Sequence, residues 1–316
     1  MSEIIEAKRT AMSTYLVTGG CGFIGSHLSE KLIADGHQVR ILDNLSTGKF
    51  ENKAAAAQFI HGDVADTGAV REAMVDVDGC FHLAAVASVE KSNQDWLGVH
   101  RTNLTGTITV FDVARASGRG IPVVYASSAA VYGNNPNLPL REEAATRPLS
   151  SYGADKLGCE QHAIVAGHVH RVPTCGLRFF NVYGPRQDPA SLYSGVISIF
   201  CSRLRSRQKI TIHGDGRQTR DFIFVKDVTQ ALIAAIMKAS SEAPVYNVCT
   251  GRATTMLWLV DVISNLLHLP PNAEYGPVRP GDIRGSIGDP SKARSDLGFE
   301  AQIDLWTGLS ATIDAI

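Results

Sequence analysis

The chain has 316 residues, of which 44% are hydrophobic and 19% are charged, and its formal charge is -1. This composition is typical of a globular protein with one large or two modest domains, and the balanced charge predicts no nucleic-acid partner. No apolar run approaches the roughly 18 residues that span a bilayer, so we expect no membrane association. Six scattered cysteines without a CxxC pair favour reduced thiols and a cytoplasmic location.

Strand and helix patterns alternate along the first half of the chain. Residues 1–12 are polar and of mixed charge, and we expect a flexible leader there. TYLVTG then predicts a strand, FIGSHLSEKLIADG a helix and HQVRILDN a second strand. The alternation continues through AQFIHGDV, TGAVREAMVD, GCFHLAAV, a long helix from about Asp95 to Ser117, and IPVVYASS. It predicts an α/β fold with a Rossmann-type, doubly wound parallel sheet covered by helices on both faces.

The sequence becomes richer in proline, glycine and arginine after residue 185. KITIHG, RDFIFV and PVYNVCTG predict short strands between helices. We expect residues 13–185 to form the main domain and residues 186–316 to form mainly a smaller α/β substrate-binding lobe, with some segments returning to the main domain. Trp96, Trp258 and Trp306 are isolated in the sequence, and we expect them to pack in cores or helix interfaces.

A glycine turn joins the first strand to the first helix. VTGGCGFIGSHL places Gly19, Gly22 and Gly25 there, where glycines let a pyrophosphate approach the backbone and the positive end of a helix. Asp43 ends the second strand, where a carboxylate would bind ribose hydroxyls, with help from Asn44, and repel a 2′-phosphate. The pattern therefore predicts a site for NAD rather than NADP. A βα turn without a ligand, and an aspartate that only caps the STGK turn, are the alternative interpretations.

Further strand ends complete the predicted cofactor site. Asp63 follows the third strand, near the expected adenine, and small residues follow the fourth strand, where the cofactor would pass close to the backbone. STGK, at residues 46–49, lacks the upstream glycine of a P-loop. The predicted NAD-binding residues are Gly19, Gly22, Phe23, Ile24, Gly25, Asp43, Asn44, Asp63, Val64, Leu83, Ala84, Ala85, Asn103, Ser127, Tyr152, Lys156 and Phe179.

Catalytic residues are predicted at the end of the fifth strand and in the helix that follows. Ser127 and Ser128 end that strand, and SSYGADKLGCEQ places Tyr152 and Lys156 one helical turn apart. A phenol, with an ordinary pKa near 10, is a poor base at neutral pH, but a nearby ammonium favours its ionised form. Such a pair is often an ordinary surface pair, so the prediction depends on the glycine turn and Ser128. The histidines of EQHAIVAGHVHRV lack a carboxylate or thiolate at ligand spacing, so no metal site is predicted.

Four motifs in this order, TGGxGFIG, SSAxVYG, SYGxxK and LRFFNVYGPRQ, resemble the extended short-chain dehydrogenase/reductase superfamily. Within it, residues 13–310 are most similar to the UDP-sugar 4-epimerases that act on UDP-glucose or UDP-N-acetylglucosamine. Related 4,6-dehydratases have an Asp-Glu pair where this chain has Ala129 and Ala130. The resemblance implies an isomerase in which Tyr152 takes the proton of the sugar 4-hydroxyl, Ser128 orients that hydroxyl, and C4 gives its hydride to NAD⁺. The resulting 4-keto sugar then rotates in the site, so that the hydride returns to the opposite face of C4.

The resemblance also implies substrate residues and a partner. The substrate-binding residues it implies are Ser88, Ser128, Tyr152, Asn181, Val196, Arg220, Arg279, Asp282 and Ser286. Ser286 stands where strict glucose/galactose enzymes have a tyrosine, which leaves room for a 2-acetamido group, and both substrate pairs stay open. A UDP-uronic acid 4-epimerase or other nucleotide-sugar oxidoreductase is the alternative, and a non-catalytic NAD-binding protein is a remote one. A homodimer through a helix bundle is also implied.

Overall fold

The computed structural model describes residues 12–188, 195–278 and 283–316. The strands of the first half of the chain are β1 (Thr14–Thr18), β2 (Gln38–Asp43), β3 (Gln58–His61), β4 (Gly79–His82), β5 (Val123–Ser128) and β6 (Thr174–Phe179). The later strands are β7 (Asn181–Tyr183), β8 (Ile210–His213), β9 (Thr219–Arg220), β10 (Phe222–Phe224), β11 (Val245–Val248), β12 (Thr254–Thr255), β13 (Ala273–Gly276) and β14 (Gly285–Ser286). The α-helices are α1 (Phe23–Ala34), α2 (Thr67–Ala73), α3 (Val89–Gln94), α4 (Trp96–His100), α5 (Gly106–Ala116), α6 (Ser151–His170), α7 (Val196–Arg205), α8 (Val225–Ile236), α9 (Met256–Leu266), α10 (Ser291–Leu297) and α11 (Leu305–Asp314).

Seven strands form the main sheet, in the order β11-β6-β5-β4-β1-β2-β3. Every neighbouring pair in it is parallel. All residues of β4 and β6 are buried, because helices cover both faces of the sheet. The chain runs outward from β1 to β3 and then returns to β4 on the other side of β1, which makes a topological switch point there. The predicted doubly wound, Rossmann-type parallel sheet is confirmed.

The two faces of the sheet are covered by different helices. On one face, Leu28 and Leu32 of α1 share a core with Leu232 of α8. On the other face, Val110 of α5 and Cys159 of α6 lie in a second core, to which α2 also contributes. Burial of each large apolar side chain contributes about 2 kcal/mol. These two cores hold the carboxyl ends of the strands in place relative to the first turns of α1 and α6.

The later strands build three small sheets and also extend the main sheet. β7 pairs with β10, β8 with β13, and β9 lies between β12 and β14. Phe200 of α7, Leu259 of α9 and Leu309 of α11 belong to a separate core beside these strands. β11, however, pairs with β6 in the main sheet, and α8 covers that sheet. The division near residue 185 stays a prediction.

The helix predicted from about Asp95 to Ser117 consists of three consecutive helical segments. α4 leads into a π-helical turn, Arg101–Thr105, and α5 follows directly. Asp95 caps α4, because its Oδ1 accepts a hydrogen bond from the Gly98 N–H at 3.1 Å. Asn103 is buried within the π-helical turn.

The part of the tryptophan prediction that places these side chains in cores is wrong. Trp96, Trp258 and Trp306 are 66%, 50% and 51% exposed. Each lies in the first turn of its helix, and inward positions of α9 and α11 are taken by Leu259 and Leu309.

Within the described ranges, no helix is both long and apolar enough to cross a membrane.

Candidate active site

A cavity of about 650 Å³ opens at the carboxyl ends of the main-sheet strands. Open α/β sheets bind their ligands at this edge. The sequence-predicted residues on its wall are Gly19, Gly22, Phe23, Ile24, Gly25, Asp43, Asn44, Val64, Leu83, Ala84, Ala85, Ser127, Ser128, Tyr152, Lys156, Phe179 and Asn181. The fold therefore brings the predicted cofactor turn and the predicted catalytic groups to one cavity.

Gly19 and Gly25, at the junction of β1 and α1, have no space for a side chain. A Cβ atom on Gly25 would overlap the Gly19 carbonyl oxygen and lie 2.9 Å from the Gly19 carbonyl carbon. Gly19 has a φ of +70°, and a Cβ there would lie 2.8 Å from the Ala84 Cα. Close approach thus requires glycine at both positions, and the left-handed backbone adds to this requirement at Gly19.

The first turn of α1 faces this cavity without a side-chain cap. Gly22 is the N-cap residue and supplies no capping hydrogen bond. The first N–H groups of a helix have no carbonyl partner within that helix. Those of Phe23, Ile24 and Gly25, which line the cavity, can therefore bind an anion together with the positive end of the helix dipole.

Asp43 ends β2 as a buried carboxylate on the cavity wall. Its Oδ2 accepts a hydrogen bond from the Cys21 N–H at 2.9 Å, and its Oδ1 accepts one from the Leu45 N–H at 2.8 Å. These bonds fix the carboxylate, and each oxygen keeps a second lone pair for a ligand hydroxyl. Asn44 donates from Nδ2 to Asp63 Oδ2 at 3.3 Å. Asp63 thus contacts Asn44 and is not among the described residues of the cavity wall.

The predicted catalytic groups meet across α6 and β5. Ser150 caps α6, so Tyr152 and Lys156 lie in its first two turns. Lys156 Nζ is 5.9 Å from the centroid of the Tyr152 ring and donates to the Ala126 carbonyl oxygen at 2.8 Å. The ammonium thus lies within reach of the negative face of the phenol ring, which attracts a positive charge. Ser128, at the end of β5, faces the same cavity.

Thr18 holds the loop after β4 and is itself in contact with a buried histidine, His82, that was not predicted. Thr18 Oγ1 accepts hydrogen bonds from the N–H groups of Leu83 and Ala84, each at 3.2 Å. The same hydroxyl lies 2.8 Å from His82 Nδ1. Burial, with a smaller contribution from the charge of Lys156, lowers the pKa of His82 to about 3. The imidazole is therefore neutral at physiological pH.

Asn103 belongs to the same buried network rather than to the cavity wall. The Thr107 hydroxyl donates to the Asn103 carbonyl oxygen at 2.6 Å, so His82 Nε2, 3.0 Å from that hydroxyl, must be the donor to it. The Asn103 side chain bonds both backbone groups of Val86, at 2.8 Å and 3.2 Å. Asn103, predicted to bind the cofactor, thus contacts the loop that lines the cavity.

Several predicted substrate residues lie away from the described wall of the cavity. Ser88 caps α3 by accepting a hydrogen bond from the Lys91 N–H at 3.1 Å. Val196 begins α7, directly after a residue of the wall. Arg220 and Ser286 stand opposite each other in the β9–β14 pair, and Ser286 is buried. The other two predicted residues, Arg279 and Asp282, lie outside the described residues.

The wall also contains residues that were not predicted. They are Cys21, Ser46, Thr47, Gly48, Lys49, Asn52, Gly62, Val86, Ala87, Thr102, Ala126, Phe180, Val182, Arg186, Gln187, Asp188 and Gly195. Lys49 Nζ and Asp188 Oδ2 form an ion pair at 3.0 Å between the loops after β2 and β7. STGK could have been found from its place after Asp43, at the same edge of the sheet as the glycine turn. Arg186 and Gln187 stand in the quoted motif LRFFNVYGPRQ.

The chain matches the model of the NAD dependent epimerase/dehydratase family over residues 15–249. It belongs to this family. It is 36% identical over 307 residues to a UDP-glucose 4-epimerase of Mycolicibacterium smegmatis, an alignment that covers 95% of this chain and 97% of the relative. With the solved UDP-N-acetylglucosamine 4-epimerase of Methanobrevibacter ruminantium, in complex with UDP-N-acetylmuramic acid, it shares 36% identity and a TM-score of 0.90, over 96% and 98% of the two chains. With the UDP-glucose 4-epimerase of Thermus thermophilus, in complex with NAD, it shares 34% identity and a TM-score of 0.89, over 96% and 98%. The predictions of an isomerase and of NAD as its cofactor are confirmed.

The residues of the cavity fit NAD. The side-chain-free turn at Gly19, Gly22 and Gly25 gives a pyrophosphate direct access to the backbone and to the start of α1. Asp43 is fixed at the end of the next strand, where it would bind the adenosine ribose. Lys156 would bind the ribose of the nicotinamide half.

Proposed function

We propose that this member of the family interconverts the two 4-epimers of a UDP-hexose, with Tyr152 as the base. The candidate pairs are UDP-glucose with UDP-galactose, and UDP-N-acetylglucosamine with UDP-N-acetylgalactosamine. The observation that carries the proposal is that Tyr152, Lys156 and Ser128 line one cavity with the dinucleotide turn. Next to them, the 3₁₀ turn after Ser128 begins with Ala129 and Ala130.

Each polar group has a role in moving one proton. Tyr152 takes the proton from the sugar 4-hydroxyl and returns it after the sugar has turned over. Ser128 holds that hydroxyl toward the phenol oxygen. The Lys156 ammonium, held by the Ala126 carbonyl, favours the ionised phenol. A bound NAD would supply the acceptor, and then the donor, of the hydride that leaves C4 and returns to it.

The alanines beside Ser128 favour epimerisation over dehydration. Loss of water from the sugar needs an acid and a base in addition to the tyrosine, and methyl groups cannot transfer protons. Ala129 and Ala130 occupy the turn where related dehydratases have those acids. Removal and return of a single hydride requires no further titratable group.

The proposal assigns the substrate diphosphate to Asn181, Arg220 and Arg279, and a ribose contact to Asp282. Asn181 supports it by its place on the cavity wall. Arginine suits a diphosphate because its guanidinium forms bidentate, charge-assisted hydrogen bonds. Ser286 lies opposite Arg220 in the β9–β14 pair. Its small side chain supports the proposal that the site has room for a 2-acetamido group.

We also propose a homodimer in the cytoplasm. Apolar side chains are exposed on the helices that would form the bundle: Trp96 and Leu97 on α4, and Ile164, Val165 and Val169 on α6. Burying such a surface against a second copy is favourable. All six cysteines are free and buried, as suits a reducing compartment.

The test is a substrate screen with purified protein and no added NAD. UDP-galactose, UDP-N-acetylgalactosamine and UDP-glucuronate are incubated separately, and the 4-epimers are separated by chromatography. Conversion of either or both of the first two supports the proposal. Conversion of UDP-glucuronate alone would favour a uronic acid 4-epimerase, and conversion of none by protein that releases NAD on denaturation would refute epimerase activity.

A further inference from the structure

A buried cluster of charged and polar side chains joins α6 to the strands that carry the catalytic site. The Ser127 hydroxyl donates to Glu160 Oε1 at 2.5 Å. Arg178 donates to both oxygens of the same carboxylate, from Nε at 2.9 Å and from Nη2 at 2.7 Å. Ser127, Glu160 and Arg178 are 2%, 3% and 6% exposed. The cluster is therefore a fully buried, paired carboxylate with one additional hydroxyl donor.

Arg178 is also held from its other side. Its Nη1 donates to the Tyr132 hydroxyl and to the Glu142 carbonyl oxygen, each at 2.8 Å. The Tyr132 hydroxyl in turn donates to Asn247 Oδ1 of β11 at 2.7 Å. Burial alone would lower the pKa of Arg178, but its hydrogen bonds and charge interaction with Glu160 raise that pKa above its ordinary value. The guanidinium is thus charged and fixed across β6 and β11.

The cluster continues the attachment of α6 to the end of β5. Lys156 and Glu160 are four residues apart and lie on one side of α6. Lys156 binds the carbonyl of Ala126, and Glu160 binds the hydroxyl of the next residue, Ser127. Ser128 follows directly. Two successive turns of the helix that carries Tyr152 therefore hold two successive residues before the catalytic serine.

We infer that Glu160, held by Arg178, is a positioning residue that fixes Ser128 relative to Tyr152 through the Ser127 hydroxyl. This inference rests on the proposed function, because turnover is one of its readouts. It also assigns Ser127 a different role from the predicted contact with NAD, since its hydroxyl proton is committed to Glu160. Catalytic rates depend steeply on such placement, and a displacement of about 1 Å can cost about 100-fold.

A purely structural role predicts a different response to substitution. A buried ion pair contributes little net stability compared with apolar residues of similar volume. Replacing both partners, as in Glu160→Leu/Arg178→Met, would then leave the turnover of the folded protein unchanged. In the positioning role, the same double variant leaves the Ser127 hydroxyl without its acceptor and lowers turnover.

The experiment compares Ser127→Ala and the double variant with wild type and with Ser264→Ala. Ser264 is a matched control because its buried hydroxyl lies in α9 and has no hydrogen-bond partner among the described residues. For Ser127→Ala we expect kcat to fall about tenfold. KM and the amount of bound NAD should stay within about twofold, and Ser264→Ala should match wild type. The double variant also removes the donor to the Tyr132 hydroxyl and the Glu142 carbonyl, so its kcat is compared at a temperature well below its own Tm, where we expect the same loss.

Hydrogen exchange supplies a readout that does not depend on turnover. Amide exchange in residues 123–132 and 151–162 should quicken in Ser127→Ala, while exchange in residues 14–18 should not change. Unchanged exchange, or a kcat within twofold of wild type, would overturn the inference. Loss of bound NAD from Ser127→Ala would also overturn it, by showing that the hydroxyl serves the cofactor. If wild type turns over no sugar nucleotide, the proposed function fails, and the exchange comparison alone decides the positioning role.

Discussion

Replacing Gly25 with alanine is a direct test of the cofactor turn. The new Cβ would overlap the Gly19 carbonyl oxygen and lie 2.9 Å from both the Gly19 carbonyl carbon and the Gly20 Cα, whereas ordinary contacts begin at 3.4 Å. Because the opposing atoms are all backbone, no side chain can rotate away, and the turn must open by about 1 Å. Overpacking of this kind costs about 1–3 kcal/mol of stability. Loss of about 3 kcal/mol of pyrophosphate binding would lower the affinity for NAD about 100-fold.

The affinity for NAD and the stability of the protein are measured in separate experiments. NAD released on denaturation gives the bound fraction, calorimetric titration of the cofactor-free protein gives the Kd, and thermal unfolding gives the Tm. Gly36→Ala is the control, since Gly36 lies beyond the other end of α1 with a φ of +88° and open space around a Cβ. Its backbone strain of about 1 kcal/mol should lower the Tm without changing the Kd for NAD. A Gly25→Ala protein that binds NAD within about threefold of wild type would contradict the steric reasoning.

Three further outcomes follow from the site. Tyr152→Phe should lower epimerisation about 1,000-fold while keeping bound NAD, and chromatography of the products with NAD release shows both; retained turnover would remove Tyr152 as the base. Asp43→Asn should reduce the preference for NAD over NADP about tenfold in calorimetric titrations, because the charge that repels a 2′-phosphate is lost; an unchanged ratio would assign the preference to other groups. The pKa of His82 is lowered to about 3, so the unfolded state binds a proton that the folded state rejects, and stability should fall as the pH drops below about 6.5 toward 3. Urea unfolding at pH 5 and pH 7 should show a smaller difference for His82→Gln than for wild type, and an equal difference would place the acid sensitivity elsewhere.

The main sheet could be predicted because its signals are local. HQVRILDN contains the apolar residues Val39, Ile41 and Leu42, and the structure forms β2 over Gln38–Asp43 around them. Strands that are buried on both faces need apolar residues at nearly every position, so each strand is visible in its own short window. The glycine turn is equally local, since the strand, the turn and the first turn of α1 are consecutive in the chain.

Contacts between distant segments could not be predicted in the same way. β9 and β14 have two residues each, and the register that places Ser286 opposite Arg220 joins positions far apart in the sequence. Asn103 is an example in which the contact of a single side chain could not be predicted from the sequence. It was predicted to bind the cofactor, but in the π-helical turn its amide bonds the backbone of Val86. An asparagine at position 103 could bind either the backbone of Val86 or the cofactor, so the sequence alone does not distinguish these two contacts.

The charges around Lys156 show why these distant partners matter for the chemistry. Glu160 lies one helical turn from Lys156, and an unpaired carboxylate there would oppose the effect of the ammonium on Tyr152. The two hydrogen bonds from Arg178 offset that charge while leaving Glu160 free to accept from Ser127. His82 is kept neutral by burial and so adds no second cation on the other side. The protein thus holds the helix and the strand together with groups that carry little net charge, and the Lys156 ammonium keeps its place beside the ring of Tyr152, the base of the proposed reaction.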